Sequence, residues 1–392
     1  MIGTIRSAVA AAALLLALPV QAEDIKIGFI ADLSAGAAET AKSGLAGFNL
    51  AIEEINNGGG LLGNKVVGIV RDDVGQPPKS IQAMTELLFN EHVAAVVGPT
   101  NSGNALAWLH LPQDRQTPVV SFSATASEMT KRYAERERNF IFRVSMVDRE
   151  QIALLAGYAV RHSPSQKIAV FGDTTGYGQL GIKDATEILA LYGITPVAVE
   201  KYGPRDTDMT SQLAKAKAAG ADTIILYNLS EATAQILRSM EKIDYNPTVL
   251  GSWSNLQKTL PNLAGKLAEK VIFSVSSTPD ASSAAEAFAE KLQQKGEDVP
   301  VFMAAAQAYD SVQLIAAGIQ KAGNVEGMAL YDALVTLDEV SGVVKNYRAP
   351  FGAPTHEALQ APDFHLAHWR DGQVIKFEDD ITRQLSNEDL KR

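Results

Sequence analysis

The stretch "KIAVFGDTTGYGQLG" (residues 167–181) has the pattern of a buried strand followed by the start of a helix. Glycines at 176, 178 and 181 fit the spacing G-x-G-x-x-G of dinucleotide-binding turns, and Glu200 lies about twenty residues further on. Three residues separate the predicted strand from the first glycine, however, whereas a dinucleotide turn follows its strand directly. We therefore favour turning and helix packing for Gly178 and Gly181, with a nicotinamide enzyme as the alternative.

The alternation of strand and helix recurs in two series along the chain. The first series contains the strand-like runs "IKIGFIAD" (25–32), "KVVGIVRDD" (65–73), "VAAVVGP" (93–99) and "TPVVSFSA" (117–124). The second begins after residue 144 and contains "KIAVFGD" (167–173), "TPVAVEKY" (195–202), "DTIILYN" (222–228) and "PTVLGSW" (247–253). Strands separated by helices indicate parallel sheets with both faces covered, so we predict an α/β protein of two doubly wound lobes.

The last third of the chain indicates several crossings between the lobes. We predict a strand leaving the second lobe in "KVIFSVSSTPD" (270–280), a long buried helix in "MAAAQAYDSVQLIAAGIQKAG" (303–323) and a hairpin turning on Asp371-Gly372. Lobe 1 is then assigned residues 23–142 and about 275–344, and lobe 2 residues 143–274 and about 345–392. We expect a hinge with a ligand cleft between the lobes, because open α/β sheets bind ligands at the carboxyl ends of their strands.

The first 22 residues, "MIGTIRSAVAAAALLLALPVQA", have the pattern of a secretory signal peptide, with Arg6 before an apolar run and Val20-Gln21-Ala22, which has small or β-branched residues at the positions that signal peptidase reads. We predict cleavage after about Ala22 and a mature protein in the periplasm of a Gram-negative cell, because no later stretch is long enough to span a bilayer. The chain has no cysteine, which removes disulfides, thiol chemistry and a lipoprotein anchor. Export also separates the protein from nucleotide pools.

Composition and missing motifs disfavour several functions. The net charge of −10 disfavours nucleic acid and anionic membranes as partners. The chain lacks a phosphate loop, and "ADLSAG" (31–36) has Asp32 where a nucleophile elbow needs glycine. His365 and His368 stand three apart on a predicted strand, so they face opposite sides and cannot readily share a metal ion. We predict no cofactor, no metal and no enzymatic activity, and a solvated surface helix in "KRYAERERN" (131–139).

The order of several segments resembles one known family. The segments are "IGFIADLSAG", "AIEEINNGGGLLG", "VVGPTNSGNALA", "PVVSFSAT", "FRVS", "GDTTGYGQLG", "LGSW" and "AAAQAYDSVQLIAAGI". The chain resembles the periplasmic solute-binding proteins of the branched-chain amino acid ABC-transporter family, over essentially the whole mature length. The resemblance implies the type I fold, with two flavodoxin-like lobes and a hinge of three segments, that closes on a small ligand and delivers it to a membrane permease. We expect a monomer that is not itself inserted in the membrane.

Candidate ligand-binding residues lie where predicted strands end. Ser102-Gly103-Asn104 and Ser123-Ala124-Thr125 precede predicted helices, and helix N-termini offer free N–H groups to anions. The resemblance implies that a ligand carboxylate contacts Ser102, the backbone near Ser123 and Ala124, and Thr125. Simple helix capping is the alternative. The resemblance adds Asp173 and Tyr177, in a second-lobe loop that closes over the ligand. Four further candidates stand at strand ends from which the second lobe would reach the cleft: Asn228, Leu229, Ser252 and Trp253.

Two ligand classes remain open. Amino-acid binders of this family often carry an acid at or beside position 252, whereas this chain has "GSWSN" (251–255). Because an unpaired buried ammonium is costly, this difference favours an aromatic or other carboxylate without an α-amino group over an aliphatic amino acid, unless Asp173 supplies the charge. Trp253 is either an apolar wall of the pocket or a core residue. Small residues in 34–40 would leave room at the other end of the pocket. The functional alternatives are a soluble sensor module and an exported enzyme.

Overall fold

The computed structural model describes residues 23–391, so the predicted signal peptide lies outside the described residues. The first lobe begins with five strands and five helices: β1 (Ile25–Ala31), α1 (Ala38–Asn57), β2 (Val66–Asp72), α2 (Pro77–Thr85), β3 (Ala95–Val97), α3 (Ser102–Trp108), α4 (His110–Arg115), β4 (Val119–Ser121), α5 (Glu128–Lys131) and β5 (Ile141–Arg143). The strands form one parallel sheet in the order β2-β1-β3-β4-β5.

The second lobe follows the same alternation. Its elements are α6 (Asp148–His162), β6 (Ile168–Asp173), α7 (Gly176–Leu191), β7 (Ala198–Tyr202), α8 (Thr210–Ala218), β8 (Thr223–Tyr227), α9 (Ser230–Lys242), β9 (Thr248–Gly251), α10 (Thr259–Ala264) and β10 (Val271–Val275). A single turn of 3₁₀ helix at Trp253–Leu256 follows β9.

The rest of the described chain returns to the first lobe and then to the second. It contains α11 (Ser283–Gln294), α12 (Phe302–Ala322), α13 (Gly327–Val335), β11 (Glu339–Ser341), β12 (Asn346–Arg348), β13 (His365–Arg370), β14 (Gln373–Lys376) and α14 (Asp380–Gln384). The second sheet has the order β14-β13-β10-β9-β8-β6-β7. Strand β13 is antiparallel to both of its neighbours, β10 and β14. The predicted hairpin is confirmed, with Asp371 and Gly372 at φ of 49° and 79°. The predicted α/β class with two doubly wound lobes is confirmed as well.

Apolar packing explains why α12 belongs to the first lobe. Phe29 of β1 lies against Phe48 of α1 and against Phe122, with ring centroids 5.0 and 5.4 Å apart. Helix α12 covers α1 at very close range, because a Cβ atom at Gly47 would lie 2.0 Å from the Ala305 carbonyl oxygen. The long buried helix predicted from the sequence therefore closes one face of the first sheet, although β10, which precedes it, belongs to the second.

Three segments connect the lobes: residues 144–147, residues 276–282 and the chain between β12 and β13. The third runs beside the first, since the Arg143 N–H donates to the His356 carbonyl at 3.0 Å. The lobe boundaries assigned from the sequence stay a proposal. Tyr347 of β12 donates its hydroxyl proton to Asp310 of α12 at 2.8 Å, and Phe142 stacks on His356 at 4.5 Å. We therefore propose that the third boundary lies nearer residue 360 than the predicted 345.

The carboxyl ends of the two sheets face each other across a cleft. Loops that follow β1, β3 and β4 reach it from the first lobe, and loops that follow β6, β8 and β9 reach it from the second. This is the edge at which open α/β sheets bind their ligands. Among residues 23–391, no helix combines the length and the apolar character that crossing a bilayer demands.

Candidate functional site

A small cavity lies between the lobes. Its volume is about 20 Å³, which means that side chains of the two lobes are nearly in contact around it. Its walls are Ala37, Thr100, Asn101, Ser102 and Thr125 from the first lobe and Tyr177, Leu229, Trp253 and Gln257 from the second. Five of these nine residues belong to the set predicted from the sequence: Ser102, Thr125, Tyr177, Leu229 and Trp253.

The first wall is the start of α3. Asn101 is the cap of this helix, because its side-chain oxygen accepts the Gly103 N–H at 2.9 Å. The hydroxyl of Ser102 instead accepts the Ala126 N–H at 3.2 Å. Capping by Ser102, the alternative left open by the sequence, is therefore wrong. Ser102 is 2 % exposed and joins two loops at the floor of the cavity.

The second wall differs from the prediction. Residues 123–125 do not begin a helix, because α5 starts only at Glu128 and is four residues long. The backbone of this loop serves other partners: the Ala124 N–H donates to the Pro99 carbonyl at 3.1 Å, and the Thr125 carbonyl accepts the Asp148 N–H at 2.8 Å. Of the three predicted residues only Thr125 lines the cavity. The Ala124 N–H is not available to a ligand in this arrangement.

Asp32, at the end of β1, shapes the third wall. Its carboxylate accepts the N–H groups of Ala35 and Ala37 at 2.7 and 2.9 Å. Its own N–H donates to the Thr100 hydroxyl at 2.9 Å. Asp32 is 2 % exposed, so a buried carboxylate satisfied by backbone donors holds the loop of small residues against the cavity. Ala37 is the member of the predicted 34–40 segment that lines it.

Tyr177 and Leu229 form the second-lobe wall opposite Ser102. Tyr177 is 5 % exposed, and its ring lies 4.9 Å from that of Tyr227. Its buried hydroxyl lies beside the side chains of Ser252 and Tyr227 but makes no well-aligned hydrogen bond to either. Burial, with the nearby Asp148 carboxyl, raises the pKa of Tyr177 well above its ordinary value, so the hydroxyl keeps its proton. A buried hydroxyl of this kind can donate to an acceptor that enters the cavity, and leaving it unsatisfied is costly.

Trp253 combines the two roles that the sequence left open. Its side chain is packed in the core cluster that spans both lobes, and only 6 % of the residue is exposed. It also lines the cavity, with the indole Nε1–H 3.4 Å from the Thr125 hydroxyl. The indole therefore forms an apolar wall and makes a weak contact across the cleft.

Six predicted residues lie behind the cavity walls and do not line them: Asn104, Ser123, Ala124, Asp173, Asn228 and Ser252. Asp173 accepts the Thr175 N–H at 2.9 Å and organises the turn into α7. Burial raises its pKa, which disfavours the charged form that an ammonium would need. The Asn228 amide donates to the Thr233 hydroxyl at 3.0 Å. Asp173 and Asn228 therefore support the loops that carry Tyr177 and Leu229.

Gln257 lines the cavity and was missed by the sequence analysis. It is 3 % exposed and lies just after the 3₁₀ turn that begins at Trp253. No motif marks it, because a single glutamine beyond a strand end has no distinctive spacing. None of the nine wall residues is Asp, Glu, Lys, Arg or His. Hydroxyl, amide and indole groups therefore provide the polarity of the cavity, and within residues 23–391 no cluster of three metal-ligating side chains is found.

The three glycines of the G-x-G-x-x-G spacing each have a packing role. A Cβ atom at Gly181 would lie 2.0 Å from the Tyr227 ring, and one at Gly178 would lie 2.4 Å from the Asp173 carbonyl oxygen. Gly176 lies against Gly103 of the other lobe, where a Cβ atom would be 3.0 Å from the Gly103 Cα. The close approach of a helix to a strand, and of one lobe to the other, therefore explains the spacing of these glycines. No bound pyrophosphate is needed to explain it.

Gly181→Ala is expected to lower the free energy of unfolding by about 1–3 kcal/mol, because the added methyl group overpacks a filled site. Tyr227 has little freedom to move away, since it is fully buried and its hydroxyl donates to Asp148 at 2.8 Å. Urea unfolding would measure the change. Lys183→Ala, on the exposed side of the same helix, is the control and should change stability by less than about 0.5 kcal/mol. Equal stabilities of the two variants would contradict the packing role.

Asp148 is a buried acid behind Thr125 and opens α6. Burial raises its pKa to about 7, while the Thr125 and Tyr227 hydroxyls oppose that rise. In the unfolded chain the carboxyl keeps its ordinary pKa of 3.8. Between these values the folded protein holds a proton that the unfolded chain releases. The contribution to stability is therefore fully present below about pH 4 and is lost as the pH rises through about 7.

Asp148→Asn is expected to remove this pH dependence, because asparagine stays neutral. The stability of the variant relative to the original protein should rise by up to about 1.4 kcal/mol per pH unit between about pH 4 and 7. Urea unfolding at a series of pH values gives the comparison. Parallel pH profiles for the two proteins would mean that Asp148 is ionised throughout this range.

Comparisons with known proteins agree with this architecture. A family model described as "Periplasmic binding protein" matches residues 24–373. The Leu/Ile/Val-binding protein BraC3 of Rhizobium johnstonii is 27 % identical over 366 residues, which cover 92 % of this chain and 95 % of the relative.

Two solved structures are similar in fold. A periplasmic binding protein type 1 of Bordetella pertussis Tohama I superposes with a TM-score of 0.82 at 23 % identity, covering 91 % of this chain and 100 % of that chain. An ABC-transporter solute-binding protein of R. palustris in complex with 4-hydroxybenzoate has a TM-score of 0.78 at 21 % identity, covering 91 % of this chain and 96 % of that chain. Both are similar to the present chain over nearly all of their length.

Proposed function

Because the chain belongs to the periplasmic binding protein family and has its type I fold, we propose that it is the substrate-binding component of an ABC importer. It binds one small carboxylate between its lobes in the periplasm and delivers it to a membrane permease. The observation that carries this proposal is the cavity whose walls come from the strand ends of both lobes. A ligand held there is enclosed only when the lobes are together.

Hydrogen-bond donors support a carboxylate as the group that is recognised. Ser102, Thr125 and Tyr177, each of which carries a hydroxyl group, line one small space. Hydrogen bonds to a charged acceptor contribute about 1.5–3 kcal/mol each. A micromolar affinity corresponds to about −8 kcal/mol, so a few such bonds and one buried apolar group are sufficient after the cost of closure.

The chemistry of the walls supports a ligand without an α-amino group. No acidic side chain lines the cavity, and the buried acids behind its walls, Asp32, Asp148 and Asp173, have hydrogen-bond partners of their own. An ammonium group in this space would have no carboxylate among the residues that line it, and burying it unpaired costs several kcal/mol. Trp253 offers a flat apolar surface that suits an aromatic ring. We therefore place aromatic and other des-amino carboxylates ahead of aliphatic amino acids.

A thermal-shift screen with matched pairs tests this proposal. Each pair consists of an amino acid and the same molecule without its amino group, such as phenylalanine with 3-phenylpropanoate and leucine with 4-methylpentanoate. The protein is unfolded and refolded beforehand to remove any carried-over solute. A ligand at 100 times its Kd stabilises the folded state by about 2.7 kcal/mol. We expect the des-amino member of each pair to give the larger increase in melting temperature. A larger increase with the amino acids would show that the ligand is an amino acid and contradict the proposed ligand class.

A further inference from the structure

Beside the cavity, the start of α1 in the first lobe contacts the segment after β9 in the second. The Gln257 amide donates to the Thr40 hydroxyl at 2.9 Å, and its carbonyl accepts the Ser230 hydroxyl at 2.7 Å. All three residues are buried, with exposed fractions of 0–3 %. Gln257 therefore bridges the first turn of α9 and the first turn of α1 across the cleft.

A second contact lies next to the first. The Glu39 carboxylate accepts both the N–H and the hydroxyl of Thr259, the N–H at 3.0 Å. Thr259 is the first residue of α10, where backbone N–H groups lack partners within the helix. A carboxylate is favourable at that end of a helix. The cap of a second-lobe helix is thus supplied by a side chain of the first lobe.

These contacts differ in kind from those that stabilise either lobe. Glu39 and Thr40 belong to α1 beside the first sheet, whereas Gln257 and Thr259 follow β9 of the second sheet. Opening the cleft would separate the two sides and expose all four groups to water, without disturbing packing within a lobe. These hydrogen bonds therefore contribute to stability only when the lobes are closed. Gly176 and Gly103 meet on another side of the cavity, where small residues permit close approach.

From this geometry we infer that Glu39, Thr40, Gln257 and Thr259 form a closing latch, which favours the closed form of the lobes in the absence of ligand. Glu39 and Thr40 do not line the cavity. They are therefore positioning residues, which change ligand affinity by changing the equilibrium between the open and closed forms of the lobes. The inference deepens the proposed function by naming the residues that regulate closure of the same site. It requires the lobes to open and close but does not depend on which ligand they enclose.

The isosteric double variant Glu39→Gln/Thr40→Val weakens the latch and leaves the cavity walls intact. It removes the charge from the cap of α10 and the acceptor of the Gln257 amide. Losing a charged and a neutral buried hydrogen bond should shift the equilibrium between the closed and open forms by roughly 10- to 100-fold toward the open form. The same factor should appear as weaker binding of any ligand that the closed form encloses.

Distances between spin labels in the ligand-free protein test the inference. The chain has no cysteine, so Lys79→Cys on α2 and Ala214→Cys on α8 introduce the only labelling sites. These exposed positions follow the edge strands β2 and β7, which are far from the crossing segments in sheet order. Pulsed electron paramagnetic resonance should show a mainly short distance with the latch intact and a shift to longer distances in Glu39→Gln/Thr40→Val.

A matched control uses a different contact between the lobes. Lys258 lies 3.8 Å from Asp298, but the Asp298 side chain is 89 % exposed, and exposed pairs contribute little. Asp298→Asn should therefore leave the distance distribution unchanged. Circular dichroism verifies that each variant is folded, and Thr40→Val alone serves if the double variant is not. The same distribution with and without the latch would overturn the inference, whereas failure of the ligand screen would contradict only the proposed function.

Discussion

Arg143→Met is expected to lower the free energy of unfolding by about 3 kcal/mol, because it leaves the Glu357 carboxylate, whose side chain is only 12 % exposed, without its cation. Arg143 ends β5 and is fully buried. Its guanidinium donates to Glu357 at 2.7 Å, to Thr130 at 2.8 Å and to the Ala126 carbonyl at 2.9 Å. Glu357 lies in the chain between β12 and β13, so the Arg143 side chain ties that segment to the end of β5.

A double-mutant cycle separates the buried pair from ordinary packing. Arg143→Met with Glu357→Gln should cost less than Arg143→Met alone, since no buried charge is then left unpaired. Arg138→Met is the control, because Arg138 pairs at 3.4 Å with Asp332, whose side chain is 61 % exposed. It should cost less than about 1 kcal/mol. A loss of the same small size for Arg143→Met in urea unfolding would contradict the stabilising role of this ion pair.

Ser102→Ala/Thr125→Ala is expected to weaken carboxylate binding by roughly 100-fold or more, because it removes two hydroxyl donors to a charged group. The two residues come from loops after different strands and meet at the floor of the cavity. The Ser102 hydroxyl also accepts the Ala126 N–H, so we expect a smaller loss of stability beside the loss of affinity. Titration calorimetry with the ligand from the screen measures the change.

Ser123→Ala is the matched control for this double variant. Ser123 is as buried as Ser102, but its hydroxyl has no hydrogen-bond partner and it does not line the cavity. Its removal should change affinity by less than about threefold, which corresponds to about 0.6 kcal/mol. If Ser102→Ala/Thr125→Ala retained full affinity, the carboxylate would have to lie elsewhere in the cleft.

The sequence predicted the fold because its signals are local and repeated. Buried strands such as "IKIGFIA" and helices such as α9 have clear periodicity, and the Asp371-Gly372 turn has the φ values that its residue types favour. The predicted surface helix at 131–139 is wrong, since α5 ends at Lys131. Residues 132–137 are instead turns and bends, and the chain from 138 to 140 has no regular structure before β5. A charged run without apolar spacing does not distinguish such a segment from a helix.

The sequence predicted only part of the candidate site. The ends of strands can be located from a sequence, whereas the directions of side chains cannot. Placing Ser102, Thr125, Tyr177, Leu229 and Trp253 at strand ends was enough to bring them near the cleft. Asp173 and Asn228 occupy the same strand ends but turn to their own loops. Gln257 and Thr40 are 217 positions apart and meet only when both lobes are folded and closed. The spacing of residues along a single sequence does not predict such a contact.

Titration calorimetry with the best carboxylate of the screen and with its methyl ester tests the central claim most directly. The ester keeps the apolar part of the ligand and removes the charge that the hydroxyls between the lobes are proposed to bind. We expect one equivalent of the acid to bind at micromolar Kd or tighter, and the ester to bind roughly 100-fold more weakly. Equal affinities for acid and ester, or no binding by any small carboxylate offered to the refolded protein, would contradict the account.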